Sequence, residues 1–96
     1  MSVLVVGVNH RTAPLDLLER IALDAQGVAK AVSGLVALDS VREAVVLSTC
    51  NRTEVYAVAE LFHQGFDDIQ HFLATTAGVD LETINSHTYA EHDDAA

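Results

Sequence analysis

Cys50 is the single cysteine of the chain, and it sits in the run Ser48-Thr49-Cys50-Asn51-Arg52-Thr53-Glu54. The thiol stands where an apolar stretch, Ala44 to Leu47, gives way to polar residues, so it can reach solvent. A guanidinium two positions on favours the thiolate form, which is the nucleophilic one. Arginine also presents a planar fork that grips a carboxylate. A lone intracellular cysteine is most often an inert, half-buried core residue. Here Thr49, Asn51, Arg52 and Thr53 are polar and hydrogen-bonding, unlike the flanks of a packed core position. Arg52 has an ordinary alternative too, a surface ion pair with Glu43 or Glu54 that would add little stability.

The remaining sequence must position that run. Ninety-six residues make one small domain with one modest core. Half of the residues are hydrophobic and few are aromatic, the composition of a soluble globular chain. No apolar stretch approaches the roughly 20 residues that span a bilayer, so no membrane association is expected. The start Met1-Ser2-Val3 lacks a basic segment followed by a cleavable apolar one, which argues against secretion. One cysteine excludes an internal disulfide framework and suits a reducing cytoplasm.

The net charge of -9 is unevenly spread. All the basic residues (Arg11, Arg20, Lys30, Arg42, Arg52) lie in the first 52 positions, where Asp16, Glu19, Asp24, Asp39 and Glu43 balance them. From Thr53 onward there are acids and no Lys or Arg. Such a surface repels a phosphate backbone, so broad nucleic-acid binding is not expected.

Val3 to Val8 is a valine-rich run of strand length, with Gly7 allowing close approach of another group. The polar segment from Asn9 to Pro14 ends in the only proline, which can open a short helix over Leu15 to Arg20. Asp24 is a suitable N-cap for a second helix, in which Val28, Ala31, Val32, Leu35 and Leu38 form an amphipathic stripe ending near Asp39-Ser40. Glu43 to Ser48 and Thr53 to Ala59 read as two strands, joined closely enough for an antiparallel hairpin with Cys50 at its tip. A helix over Asp67 to Ala77, stopped by Gly78, a further turn around Leu81 to Ile84 and a strand over Ser86 to Glu91 complete the order. Strand, helix, strand, strand, helix, strand is the split βαβ pattern: an α+β, ferredoxin-like βαββαβ domain with a four-stranded antiparallel sheet and helices on one face. The last residues, His92 to Ala96, read as an N-cap and a first helical turn with no helix after them, so the chain is expected to have been cut.

Two strings, Gly7-x-Asn9-His10-x-Thr12-Ala13-Pro14 and Ser48-Thr49-Cys50-Asn51-Arg52-Thr53-Glu54-x-Tyr56, together resemble the N-terminal catalytic domain of glutamyl-tRNA reductases. The resemblance runs from Val3 to the end of the chain. It implies that the Cys50 thiolate attacks the aminoacyl ester of glutamyl-tRNA, displacing the tRNA and leaving a glutamyl thioester. The full-length enzyme then reduces that thioester with NADPH to glutamate-1-semialdehyde, in tetrapyrrole biosynthesis in the cytoplasm. Arg52 would bind the substrate's side-chain carboxylate, with Thr49 and Asn51 as further substrate-binding residues. Turn formation is the ordinary role of those two residue types.

The resemblance also implies that the domain spans residues 1–96, cut before its last helix, with a histidine that assists the cysteine falling beyond Ala96. The NADPH-binding and dimerisation domains would be absent: no Gly-x-Gly-x-x-Gly occurs in the chain. The full-length enzyme would be a homodimer through its C-terminal domain, and the fragment a monomer that meets only the acceptor end and glutamyl group of its tRNA.

His10, in the loop after the first strand, can lie near the thiol because that strand is central in this fold; its ordinary and preferred role is a polar loop residue that fixes the loop's shape. His63, His71, His87 and His92 have no metal-ligand spacing, so no metal is expected. Asp67-Asp68 and Asp93-Asp94 read as acids at helix N-termini. The competing reading is a small acidic ferredoxin-like binding module without catalysis, in which Cys50 is incidental.

Overall fold

In a computed structural model, which describes residues 1–94, the chain forms eight elements. They are β1 (Ser2–Asn9), α1 (Leu15–Ile21), α2 (Ala25–Val36), β2 (Val41–Ser48), β3 (Arg52–Ala59), α3 (Phe62–Ala77), α4 (Leu81–His87) and β4 (Tyr89–Asp94). The strands make one antiparallel sheet in the order β2-β3-β1-β4. This is the expected ferredoxin-like α+β arrangement, with the hairpin β2–β3 at one side and β1 in the interior of the sheet.

Strand alternation divides the sheet into two faces. Leu4, Val6 and Val8 of β1 and Val55, Ala57 and Ala59 of β3 are buried and form a core with Leu35, Ile69, Leu73 and Ile84 of the helices. The opposite face leaves Val3, Val45 and Tyr56 exposed. Asp24 caps α2 as expected, accepting from the Gly27 amide at 2.8 Å. The helix ends at Val36, short of Asp39-Ser40. Gly78 stops α3 in the left-handed conformation, φ 69°, a backbone shape that a Cβ disfavours.

Three expectations are corrected. Helix α3 starts at Phe62, five positions before Asp67, so Asp67 and Asp68 are not N-terminal acids. The apolar stripe reaches back through Phe66 to Phe62, whose ring stacks on His92 of β4 with centroids 4.0 Å apart. Asp68 instead accepts a 2.6 Å hydrogen bond from the buried Ser40 hydroxyl and ties α3 to the turn before β2.

Helix α4 continues to His87, taking Ser86 and His87 out of the expected strand. Asp80 caps it, Ile84 anchors it in the core, and Gln70 of α3 donates to Asn85 and Thr88 at 2.7 Å each. Strand β4 therefore begins at Tyr89 and runs through His92 and Asp93, where a helix start was expected. Pairing with the open edge of β1 supplies hydrogen bonds that local propensity does not. Ala95 and Ala96 lie outside the described residues.

Candidate active site at the hairpin tip

Cys50 is exposed at the tip of the β2–β3 hairpin, as its polar flanks suggest. The tip is held by its own residues. The Thr49 amide donates to the Arg52 carbonyl at 2.8 Å, and the Thr49 hydroxyl oxygen accepts from the Asn51 and Arg52 amides at 3.2 and 3.3 Å. Thr49 thus performs the turn role open to its residue type. Below the tip, on the core side, the Ser48 and Thr53 hydroxyls meet at 2.8 Å. Ser48 Oγ also accepts from the Leu23 amide at 2.9 Å, fastening the hairpin to the link between α1 and α2.

A second loop meets the tip. Asn9 Oδ1 accepts from the Arg11 and Thr12 amides at 2.9 and 3.1 Å, a side-chain turn that closes the segment after β1. From that segment the His10 amide donates to the Asn51 carbonyl at 3.0 Å. Asn9, His10, Thr49, Asn51 and Arg52 line a groove of about 390 Å³ between the two loops, a volume typical of small-molecule sites (roughly 300–1,000 Å³). Three of the four expected site residues share this groove. The fourth, Cys50, lies on the tip between two of them and is not part of its lining.

Arg52 lies on the open face of the sheet, and its Nε is 3.8 Å from Glu54 Oε1. Glu43 does not take part in that pair. The partner is unusual: Glu54 is buried, 7% exposed. Tyr56 donates its hydroxyl to Glu54 Oε1 at 2.8 Å, and Tyr89 of β4 donates to Oε2. Tyr89 reaches Glu54 across β1 at the one position that carries no side chain. Gly7 pairs with both residues, and a Cβ there would stand 2.8 Å from Glu54 Cγ. Gly7 therefore admits the Glu54 side chain as the close neighbour that its place in a strand suggests.

The hydrogen bond from Tyr89 holds the Glu54 carboxyl below its ordinary 4.5, with smaller help from Tyr56 and Arg52 and against the opposing effect of burial. Burial, and then the bond to Glu54, push the Tyr89 hydroxyl up. A carboxyl that ionises more readily folded than unfolded stabilises the fold fully above 4.5, and the effect is lost as pH falls through its lower folded value. The melting-temperature difference between the natural chain and Glu54→Gln should accordingly be largest near neutral pH and shrink as the solution is acidified from pH 6 to pH 3. A difference that does not change over that range would contradict the assignment.

Sequence reading missed this carboxylate–phenol cluster. Its signal was strand parity: Val55, Ala57 and Ala59 facing the core place Arg52, Glu54 and Tyr56 together on the other side. Tyr89 had no such signal, because its partner lies across a strand far away in sequence. Among the described residues no cluster of His, Cys, Asp or Glu has the arrangement of a metal site, and no helix is long and apolar enough to cross a membrane.

Fold and site together define a ferredoxin-like α+β domain that displays a thiol on a braced hairpin, beside a half-exposed arginine. Residues 6–96 match the family described as Glutamyl-tRNAGlu reductase, N-terminal domain, and the chain belongs to that family. It is 50% identical over 93 residues to the glutamyl-tRNA reductase of Frankia alni, an alignment covering 97% of this chain and 20% of that protein. It is 47% identical over its whole length to the glutamyl-tRNA reductase of Corynebacterium diphtheriae, covering 22% of that protein. Glutamyl-tRNA reductase 1 of a Nocardioides species is 42% identical over 96 residues, again covering 22% of that protein. The chain spans about a fifth of the length of these relatives.

Proposed function

We propose that this chain is the thiol-bearing part of a glutamyl-tRNA reductase and that Cys50 captures the glutamyl group from glutamyl-tRNA. The observation that carries the reading is the exposed thiol on a tip fixed from both sides, next to a groove with Arg52 in its lining. The thiolate sulfur attacks the ester carbonyl carbon. A carbon–sulfur bond forms, the bond to the ribose oxygen breaks, and the released tRNA hydroxyl takes up a proton. A thioester remains, a better hydride acceptor than the ester it replaces.

Arg52 holds the free side-chain carboxylate of the substrate. Its distance to Glu54 is longer than a hydrogen bond, so its donors remain available for a bidentate partner. Asn51 faces the same groove and supplies an amide donor to the acyl group. Thr49 contributes chiefly by shaping the tip that presents the sulfur.

Reduction of the thioester by NADPH, to glutamate-1-semialdehyde for tetrapyrrole synthesis, completes the reaction in the full-length enzyme. The residues described here do not fit a dinucleotide. There is no Gly-x-Gly-x-x-Gly in the chain and no basic cluster for a pyrophosphate. The hydride step therefore belongs to other domains, as does dimerisation, and residues 1–96 act as the acyl-capturing domain in the cytoplasm. The acidic surface after Thr53 limits contact with the tRNA to its acceptor end and glutamyl group.

Mass spectrometry of the protein after incubation with glutamyl-tRNA tests the reading. An acyl group on Cys50, labile to hydroxylamine, is expected; its absence, together with unaccelerated deacylation, would favour a binding module without catalysis. Arg52→Lys keeps the charge and loses the paired geometry. It should reduce the preference for glutamyl- over glutaminyl-tRNA by about tenfold or more. Equal rates with the two substrates in the natural protein would remove this role from Arg52.

A further inference from the structure

We propose that Glu54, held by the Tyr56 and Tyr89 hydroxyls over the gap left by Gly7, is the positioning residue that aims Arg52 at the acyl group's carboxylate. The inference rests on the acyl-capture reading above and extends it to four residues, Gly7, Glu54, Tyr56 and Tyr89, that do not line the groove.

A glutamate on the open face of a sheet normally extends into water, yet Glu54 is only 7% exposed. Its burial is arranged from three strands. β3 supplies Glu54 and Tyr56, β1 supplies a position without a side chain, and β4 supplies Tyr89. An ionised carboxylate is an acceptor only, and here each oxygen has a phenol donor of its own. Burying a charge without such partners is costly, so the two hydroxyls fix the rotamer of Glu54 as well as its ionisation.

Glu54 and Arg52 face each other on the open side of the sheet. A bidentate pair between them would occupy the donors that the substrate needs. Instead the phenols take up the oxygens, and Nε approaches Oε1 only to 3.8 Å. At that separation the attraction is ionic and bends the guanidinium toward Glu54 without capturing its fork. Arg52 remains about half exposed while its anchor does not. A long, flexible side chain thereby gains a preferred direction before substrate arrives, and ordering it in advance lowers the cost of binding.

The cluster also joins the site to the far edge of the sheet. Tyr89 is the first residue of β4 and follows the end of α4. The placement of Arg52 thus depends on β4 being paired to β1, although β4 contributes nothing to the groove itself.

The test uses the full-length reductase carrying this sequence, assayed with glutamyl-tRNA and glutaminyl-tRNA. Glu54→Gln is expected to raise KM for glutamyl-tRNA and lower the glutamyl preference by about ten- to a hundredfold, the scale of a misplaced binding group. The maximal rate of acyl capture should change far less. Tyr56→Phe and Tyr89→Phe remove one hydroxyl each, keep the rings, and should shift selectivity in the same direction, so selectivity is read in folded protein even where Glu54→Gln unfolds. In an Arg52→Lys background, Glu54→Gln should have no additional effect on selectivity, because the two residues act as one unit. A lowered melting temperature with KM and selectivity unchanged, or an undiminished effect in the Arg52→Lys background, overturns the proposal and leaves the acyl-capture reading standing. Cys50→Ser assayed alongside separates the two: retained acyl capture in that variant overturns the reading and the proposal together.

Discussion

Cys50→Ser should abolish acyl transfer from glutamyl-tRNA to the protein, a loss on the order of 10⁴-fold or more, as removal of a nucleophile commonly gives. The hydroxyl is far weaker as a nucleophile without a neighbouring base, and its ester is a poorer hydride acceptor than the thioester. The fold should be indifferent to the change. Cys50 is exposed, and surface substitutions of this kind usually fall within about 0.5 kcal/mol. Acyl transfer measured by retention of labelled glutamate on the protein, with melting curves in parallel, separates the two effects. Labelled glutamate retained at the natural level would end the case for Cys50 as nucleophile.

The second large effect is on stability, at Gly65. This helical glycine faces the sheet, and a Cβ built on it would lie 2.6 Å from the Ala59 Cβ and 3.1 Å from Leu4 Cδ1. Two effects compete on substitution. Alanine in a helix is favoured over glycine by about 1 kcal/mol. Overpacking a buried contact costs about 1–3 kcal/mol. Ala59 lies on β3, an interior strand paired on both sides, so it cannot retreat and α3 must lift. Packing therefore wins. Gly65→Val adds a β-branched side chain to the same space and should destabilise by about 3 kcal/mol, the upper end of that range. For a domain of this size each kcal/mol lowers the melting temperature by roughly 4–8 °C, so a fall of about 15 °C is expected in a thermal scan. An unchanged or raised melting temperature would show that α3 does not pack as closely on the sheet as described.

The two predictions draw on different parts of the molecule, and these differ in how far they could be read from sequence. The hairpin, its tip and the exposed thiol were legible because they are local. Strand propensity on either side of a short polar link sets where Cys50 lies, and Thr49 closes the turn with its own oxygen. The same holds for the Asp24 cap and the Gly78 stop, which depend on one residue each.

The starts of α3 and β4 were not legible in this way. Gly65 weakens a helix by propensity, yet here it permits close contact with the sheet. The acidic segment from Glu91 to Asp93 has little preference for a strand, and it becomes one because β1 offers unpaired backbone groups. The acids on this edge strand also guard it against pairing with other chains.

From the order of residues alone came the fold class, the exposed thiol's placement and the arginine beside it, since each follows from short-range pattern and side-chain chemistry. Tertiary structure alone decided that Glu54 is buried and that Tyr89 crosses over Gly7 to meet it. It also decided that the carboxylate facing Arg52 is a buried one held by two tyrosine hydroxyls. The physical reason is that burial and hydrogen bonding across three strands depend on register, and register is set by the pairing of segments far apart in the chain.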